Sequence, residues 1–169
     1  MIEVAISPED GWSGTTDWQA LADRAVRTAL RHSSYGELID AEALIEVSVR
    51  FTDDDEVQGL NASYRAKDRP TNVLSFPMVQ PDLLPALANT DDGEVLLGDI
   101  VLASGVCARE AVERGVPVEV HASHLIVHGT LHLLGFDHVN EAAGDTMEAV
   151  ERVALAAIGI DDPYAIADD

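Results

Sequence analysis

The run His128-Gly129-Thr130-Leu131-His132-Leu133-Leu134-Gly135-Phe136-Asp137-His138 limits what this chain can fold into more than any other stretch. His128 and His132 are four positions apart, so on a helix they share one face, with Cβ atoms roughly 6 Å apart. Gly135 follows where a helix commonly ends, because glycine reverses the backbone without a Cβ penalty. A turn there brings His138 back toward the same point. Three imidazoles on one Zn²⁺ leave a fourth position open for water, the arrangement of catalytic rather than structural zinc. All-imidazole ligation favours Zn²⁺, one ion per chain, with Ni²⁺, Cu²⁺ and Fe²⁺ as other ions that fit. The metal site therefore belongs at the end of a long helix.

Five of the six histidines, His121, His124, His128, His132 and His138, fall within 18 residues. A rival triad is His124, His128 and His132, which also share a helix face. Its outer members are eight residues apart, about 12 Å along the axis, too far for tetrahedral angles on one ion. His138 is therefore the preferred third ligand. His124 becomes a residue behind the ligands or a core residue, and His121 a partly exposed surface residue. A ligating histidine usually passes its other N–H to a carboxylate or carbonyl. By residue type the candidates are Asp137 and Asp99, either of which can equally be a loop or strand-end aspartate. Cys107, the sole cysteine, reads as a small buried helix residue, with a fourth-ligand role as the alternative.

A length of 169 residues suits one domain with a sizeable core; the reading is a domain over 1–160 and a loose acidic tail over 161–169. One cysteine excludes an intrachain disulfide framework and suits a reducing, cytoplasmic setting. The start of the chain lacks the pattern of a secretory signal. No apolar run is long enough for a membrane span, so no membrane partner is expected. With 31 acidic against 10 basic residues, the net charge is −21. That field repels nucleic acid at long range and counts against a general RNA or DNA binder; most of the acids read as solvated surface. Arg65, Lys67 and Arg69 nevertheless fall within five positions, a local positive site on an acidic body.

Alternation predicts strands over 2–6 and 44–51, the second half-buried, a short strand over 73–76 and another over 95–102 interrupted at Gly98-Asp99. A helix is predicted from a cap at Ser13, Thr15 or Thr16 to about Arg31, and another from the acidic turn Asp53-Asp54-Asp55 to about Tyr64, where carboxylates complement the helix dipole. Further helices are predicted over 103–113, over 118–134 after Pro117, and over 141–158. The stretch 77–94, with Pro81, Pro85, Asn89 and Gly93, reads as an irregular loop. Strands and helices in mixed order give an α+β fold, an α/β sandwich with a mixed sheet packed by helices.

The spacing H-x-x-x-H-x-x-G-x-x-H is also that of the metzincin proteases. Those enzymes carry a glutamate directly after the first histidine as general base; here that position is Gly129. Other motifs point elsewhere. Asn61-Ala62-Ser63-Tyr64-Arg65-Ala66-Lys67-Asp68-Arg69-Pro70-Thr71-Asn72-Val73-Leu74-Ser75-Phe76, Leu97-Gly98-Asp99-Ile100-Val101, the His128 to His138 stretch preceded by His124, and Met147-Glu148 occur in that order. In these motifs the chain resembles the YbeY family of bacterial rRNA-maturation endoribonucleases. The resemblance implies a zincin-like fold, with a zinc ion held by His128, His132 and His138. It implies a single-strand-specific metallo-endoribonuclease acting on precursor ribosomal RNA, at the small-subunit 3′ end, and in ribosome quality control. It maps a functional arginine onto Arg65. Asn72 stands where the family often has Asp, and Phe136 where it often has Tyr, which removes a hydroxyl near the metal.

Phosphodiester hydrolysis needs a nucleophile, charge neutralisation at the phosphoryl oxygens and a proton for the leaving oxygen. Zinc can supply an activated water and Lewis acidity. Arg65 suits a bidentate phosphate contact or developing charge, and Lys67 and Arg69 would attract the RNA backbone. In the structural alternative, Arg65 pairs with Asp68 in its own loop. No general base is identified, and water and the RNA 2′-OH both remain as nucleophiles. Tyr64 and Phe76 are the aromatic residues near the basic motif, so backbone-led binding of single-stranded RNA is expected. The acidic body predicts weak binding to naked RNA and a basic ribosomal protein as partner. The competing readings are a metallopeptidase, opposed by Gly129, and a non-catalytic ribosome-assembly factor with a structural metal.

Overall fold

The computed structural model describes residues 1–9, 11–87 and 93–164. Four strands, β1 (Ile2–Pro8), β2 (Leu44–Thr52), β3 (Val73–Pro77) and β4 (Glu94–Ala103), form one sheet in the order β1-β2-β4-β3. β1, β2 and β4 run parallel, and β3 closes the edge antiparallel to β4. With α1 (Trp18–His32), α2 (Asp54–Arg65), α3 (Leu84–Leu87), α4 (Ser104–Arg114), α5 (Val118–Leu133) and α6 (Glu141–Ala157), this is an α+β domain, a mixed sheet packed by helices.

β2 is half-buried as its alternation predicts. Ile45, Val47, Val49 and Phe51 are fully enclosed while Glu46, Ser48 and Arg50 are not. β4 is continuous through Gly98-Asp99, and the predicted interruption is a bulge one residue earlier. Glu46 pairs with Leu96 and Val47 with Gly98, so Leu97 is the extra residue. A bulge flips the alternation, which puts both Leu97 and Gly98 on the core side. A Cβ on Gly98 would lie 2.5 Å from Leu133 Cδ2 and 2.6 Å from the Phe76 carbonyl oxygen. Glycine here is what lets the end of α5 press against the sheet.

α1 buries Leu21, Ala22, Ala25, Val26, Ala29 and Leu30 against α5, α6 and β1. Its cap is Asp17, which accepts from Ala20 N at 3.0 Å, not Ser13, Thr15 or Thr16. The Ser13 and Thr15 hydroxyls bond each other at 2.9 Å, and Thr16 Oγ1 donates to Glu119 at 2.7 Å. α2 is capped by Asp53, which accepts from Glu56 N. The stretch after β3 is more ordered than an irregular loop. It contains a 3₁₀ turn (Pro81–Leu83) and α3, whose Leu84 is fully buried; Asn89 lies outside the described residues. α5 is enclosed around most of its girth, touching α1, α4, α6, β3 and β4, which is why its sequence is apolar on nearly every face. Asp162 to Tyr164, within the stretch read as a loose tail from Asp161, are held to the body. Arg114 donates to the Pro163 carbonyl at 3.1 Å and Arg152 pairs with Asp162 at 3.0 Å. Residues 165–169 lie outside the described residues.

Candidate metal centre and its basic cleft

The last two turns of α5 carry His128 and His132, both half-buried. The helix then stops as Gly135 predicts. Gly135 adopts φ +96°, its N–H bonds the His132 carbonyl at 3.0 Å, and the Phe136 N–H bonds the Leu131 carbonyl at 3.1 Å. This pair of bonds is the Schellman reversal. It returns exposed His138 to the helix face, where its ring stacks on His128 at 5.2 Å between centroids and stands 5.4 Å from His132. One ring nitrogen from each of His128, His132 and His138 lies within 4.8 Å of the others.

The hydrogen bonds assign the lone pairs. His128 Nδ1 is 2.6 Å from Glu151 Oε1. A carboxylate only accepts, so Nδ1 bears the proton and Nε2 keeps its lone pair. That Nε2 is 3.1 Å from His132 Nε2, close to the separation of two nitrogens on one tetrahedral ion, about 3.3 Å for bonds of about 2.0–2.1 Å. Burial, then the neighbouring His128 and His138, push the His132 pKa down to about 4 against an opposing main-chain hydrogen bond at Phe136. His132 is therefore neutral at pH 7, as a ligand must be. These residues fit a zinc-type ion: three imidazoles converge, and one has its tautomer set by a carboxylate.

The rival triad does not assemble. His124 turns its Nε2 to Glu151 Oε2 at 3.2 Å and so stands behind the ligands, in contact with the carboxylate that holds His128. His121 is buried, only 2 % exposed, which corrects the surface placement. Its Nε2 faces Glu110 Oε1 at 2.7 Å, and burial lowers its pKa although Glu110 opposes the shift. Asp137 and Asp99 do not support the ligands. Exposed Asp137 accepts from Val139 N at 3.2 Å in its own turn. Asp99 follows Gly98 and precedes Ile100, both of which face α5, so strand alternation points Asp99 to the opposite side of the sheet. Cys107 is buried, with Sγ toward the Asn72 carbonyl; burial first, then Glu110, push its thiol up to about 12.

Sequence reasoning missed Glu151. It is fully buried on α6 and accepts from His124, His128 and the Tyr164 hydroxyl. Burial alone would raise its pKa; those hydrogen bonds outweigh it and hold the carboxyl down at about 2. The available signal was a glutamate four residues after Met147 and three before Ala154, inside the buried stripe of an amphipathic helix. Tyr164 carried no such signal.

A cleft of about 240 Å³ opens beside the histidines. It is lined by His128 and His132 on one side and by Asn61, Arg65, Lys67 and Arg69 on the other. α2 ends at Arg65, and Ala66 takes the left-handed conformation with φ 57°. Buried Asn61 then secures the loop: its carbonyl accepts from Lys67 N at 3.2 Å and its amide donates to the Arg69 carbonyl at 2.9 Å. Exposed Arg65 donates through Nη2 to the Ser75 carbonyl at 2.9 Å. The alternative pairing with Asp68 does not form; Asp68 accepts from Gln58 at 3.0 Å. Tyr64 and Phe76 meet edge to face at 5.4 Å and border a separate groove with Asp99 on the other side of the sheet. Asn72 accepts from Val73 N and donates to Glu110. Phe136, half-buried, packs against the core. Gly129 faces the sheet, where an added Cβ would lie 3.1 Å from the Ile100 side chain.

Comparison with known proteins agrees with this geometry. The family model described as endoribonuclease YbeY matches residues 9–159. Proteins named endoribonuclease YbeY from Rhizorhabdus wittichii and Sphingopyxis alaskensis are 62 % and 54 % identical, over 100 % and 98 % of both chains respectively. The solution structure of TM1509 from Thermotoga maritima shares the fold, with a TM-score of 0.54 at 20 % identity, covering 92 % of this chain and 91 % of that one. A family match across nearly the whole length, together with the three convergent histidines, carries one conclusion: the chain belongs to the YbeY family.

Proposed function

We infer that this chain is a metal-dependent endoribonuclease of ribosomal RNA maturation, working in the cleft between the histidines and the Arg65 loop. The observation that carries the reading is that His128, His132, Arg65, Lys67 and Arg69 line one cleft on a chain whose net charge is −21. Local positive charge set beside a metal-binding triad suits a phosphodiester. The names of its relatives support RNA as the substrate.

His128, His132 and His138 would hold one ion, with zinc as the ion their chemistry favours. When bound, such an ion supplies Lewis acidity toward phosphate and lowers the pKa of water. The chain's own residues do the rest. Arg65 keeps one N–H on Ser75, which fixes the guanidinium at the cleft and leaves further donors for phosphoryl oxygens. Lys67 and Arg69, both exposed, offer backbone phosphate contacts that carry no sequence information. Glu151 holds the proton of His128 away from the ion's side.

The substrate that fits is a single-stranded precursor rRNA, including the 3′ end of the small-subunit RNA. The acidic body resists naked RNA, so a ribosome or ribosomal protein with a basic surface is the complementary partner. No described helix is long and apolar enough to cross a membrane, and a cytoplasmic site of action follows from an rRNA substrate. A metallopeptidase is disfavoured because position 129, where a protease carries its glutamate, is glycine, and an added Cβ there would crowd the Ile100 side chain at 3.1 Å. A purely structural metal is disfavoured because three ligands leave the ion open.

The test is cleavage of a single-stranded RNA oligonucleotide by metal-quantified wild type, His132→Ala and Arg65→Ala. Cleavage by wild type alone, with metal retained in Arg65→Ala and lost in His132→Ala, is the expected result. Equal cleavage by all three overturns the site. Full activity in Arg65→Ala overturns the phosphate role of that residue.

A further inference from the structure

Behind the metal-facing nitrogens lies a second constellation. Glu151 is fully buried, and three side chains converge on its carboxylate. His128 Nδ1 reaches Oε1 at 2.6 Å, His124 Nε2 reaches Oε2 at 3.2 Å, and the Tyr164 hydroxyl donates to Oε2. A carboxylate taken wholly out of water is tolerable only when its oxygens are satisfied. Here every donor is a histidine of α5 or a tyrosine from beyond α6. The segment that delivers Tyr164 is itself anchored: Arg114 holds the Pro163 carbonyl, Arg152 pairs with Asp162, and Asp162 Oδ1 accepts from Tyr164 N at 2.8 Å. The Tyr164 ring stands edge-on to His124 at 5.6 Å and under the Arg152 guanidinium at 5.5 Å.

We propose that Tyr164, acting through Glu151, is a positioning residue for the metal-binding face of His128. The inference rests on the reading that His128 holds the ion. The hydroxyl and His124 fix the Glu151 carboxylate in one orientation; Glu151 then fixes both the tautomer and the ring plane of His128, so that Nε2 points at the centre of the triad. Losing an outer hydrogen bond of this kind typically weakens metal binding about 10–100-fold. Residues 161–164 are thereby part of the metal-binding unit rather than a tail.

The experiment measures zinc affinity by chelator competition and the visible spectrum of the Co²⁺-loaded protein, alongside metal-free thermal stability. It compares wild type with Glu151→Gln, Tyr164→Phe and Thr28→Val. Tyr164→Phe removes only the hydroxyl and keeps the ring contacts. Thr28→Val breaks a buried bond to the Ala154 carbonyl on the same helix without touching Glu151. The expected result is zinc affinity weaker by about 10–100-fold in Glu151→Gln, weaker by a smaller factor in Tyr164→Phe with a shifted Co²⁺ spectrum, and unchanged in Thr28→Val despite lower thermal stability. Unchanged affinity and spectrum in the first two variants overturn the inference while leaving the metal reading intact. Equal weakening in Thr28→Val and Tyr164→Phe also overturns it, since the effect would then be general loss of α6 packing. A wild-type chain that holds neither zinc nor cobalt overturns the metal reading and the inference with it.

Discussion

The two halves of α5 carry the same residue type to different ends. In the first half His121 and His124 are buried, 2 % and 6 % exposed, and each turns a nitrogen to a carboxylate, Glu110 and Glu151. In the second half His128 and His132 reach the cleft, and their Nε2 atoms face each other at 3.1 Å. The first pair stands three positions apart and the second four; both spacings keep a pair on one helix face, so spacing alone does not tell the two roles apart. What separates them is which nitrogen remains free once the neighbours have taken theirs. His128 belongs to both regimes: one nitrogen on Glu151, the other toward the triad.

The comparison breaks most visibly by deleting one histidine from each half. His128→Ala removes a corner of the triad and leaves Glu151 Oε1 without the imidazole that it faces. Zinc affinity is expected to fall by more than about 100-fold, beyond the cost of losing an outer partner, while His121→Ala holds it within a factor of about three. Chelator competition reads both. If His121→Ala loses zinc as His128→Ala does, the division between the halves is wrong.

Gly129 lies in the second half, directly after His128, and its replacement gives the next largest effect. Gly129→Glu restores the protease-like residue but drives a Cβ toward Ile100. Overpacking of this kind costs about 1–3 kcal/mol, measurable by urea denaturation. The variant should gain no metal-dependent cleavage across a peptide panel. Gain of peptidase activity without loss of stability would show that the face is open and reinstate the peptidase reading.

The smallest effect is on pH dependence in the first half. The folded His121 has a lowered pKa, from burial with Glu110 opposing. As pH falls below the ordinary histidine value of about 6.5, the unfolded chain takes up this proton before the folded one does, and stability declines. His121→Phe should flatten that decline in the metal-free protein, followed as urea midpoints from pH 7.5 to 5. An unchanged slope would mean that His121 is protonated alike in both states.

Much of this site was legible because it is local. The four-residue spacing of His128 and His132, and the glycine that ends their helix, follow from backbone geometry within eleven positions. The half-buried alternation of β2 and the acidic start of α2 are equally local. The expected partners of the ligands, Asp137 and Asp99, failed for the opposite reason. Asp137 is adjacent in sequence but is engaged by its own turn. Asp99 is turned away by strand alternation after a bulge at Leu97, one residue before the interruption that the sequence suggested. The hydroxyls of Ser13, Thr15 and Thr16, proposed as caps of α1, failed because neighbours took them and Asp17 stands nearer the helix start.

By itself the sequence determined the helix with its histidine face, the turn after it, the half-buried strand and the basic cluster from Arg65 to Arg69, since each depends on torsion preferences and periodicities that act over a few residues. Only the tertiary structure decided that this cluster lies across a cleft from His128, that Gly98 lets α5 press against the sheet, and that the carboxylate behind the histidine triad is Glu151, held by Tyr164. Those partners are separated along the chain, and Glu151 stands 23 residues from His128. Contacts of that range are chosen by how helices and sheet pack, because a buried charge is stable only where packing brings its hydrogen-bond partners to it.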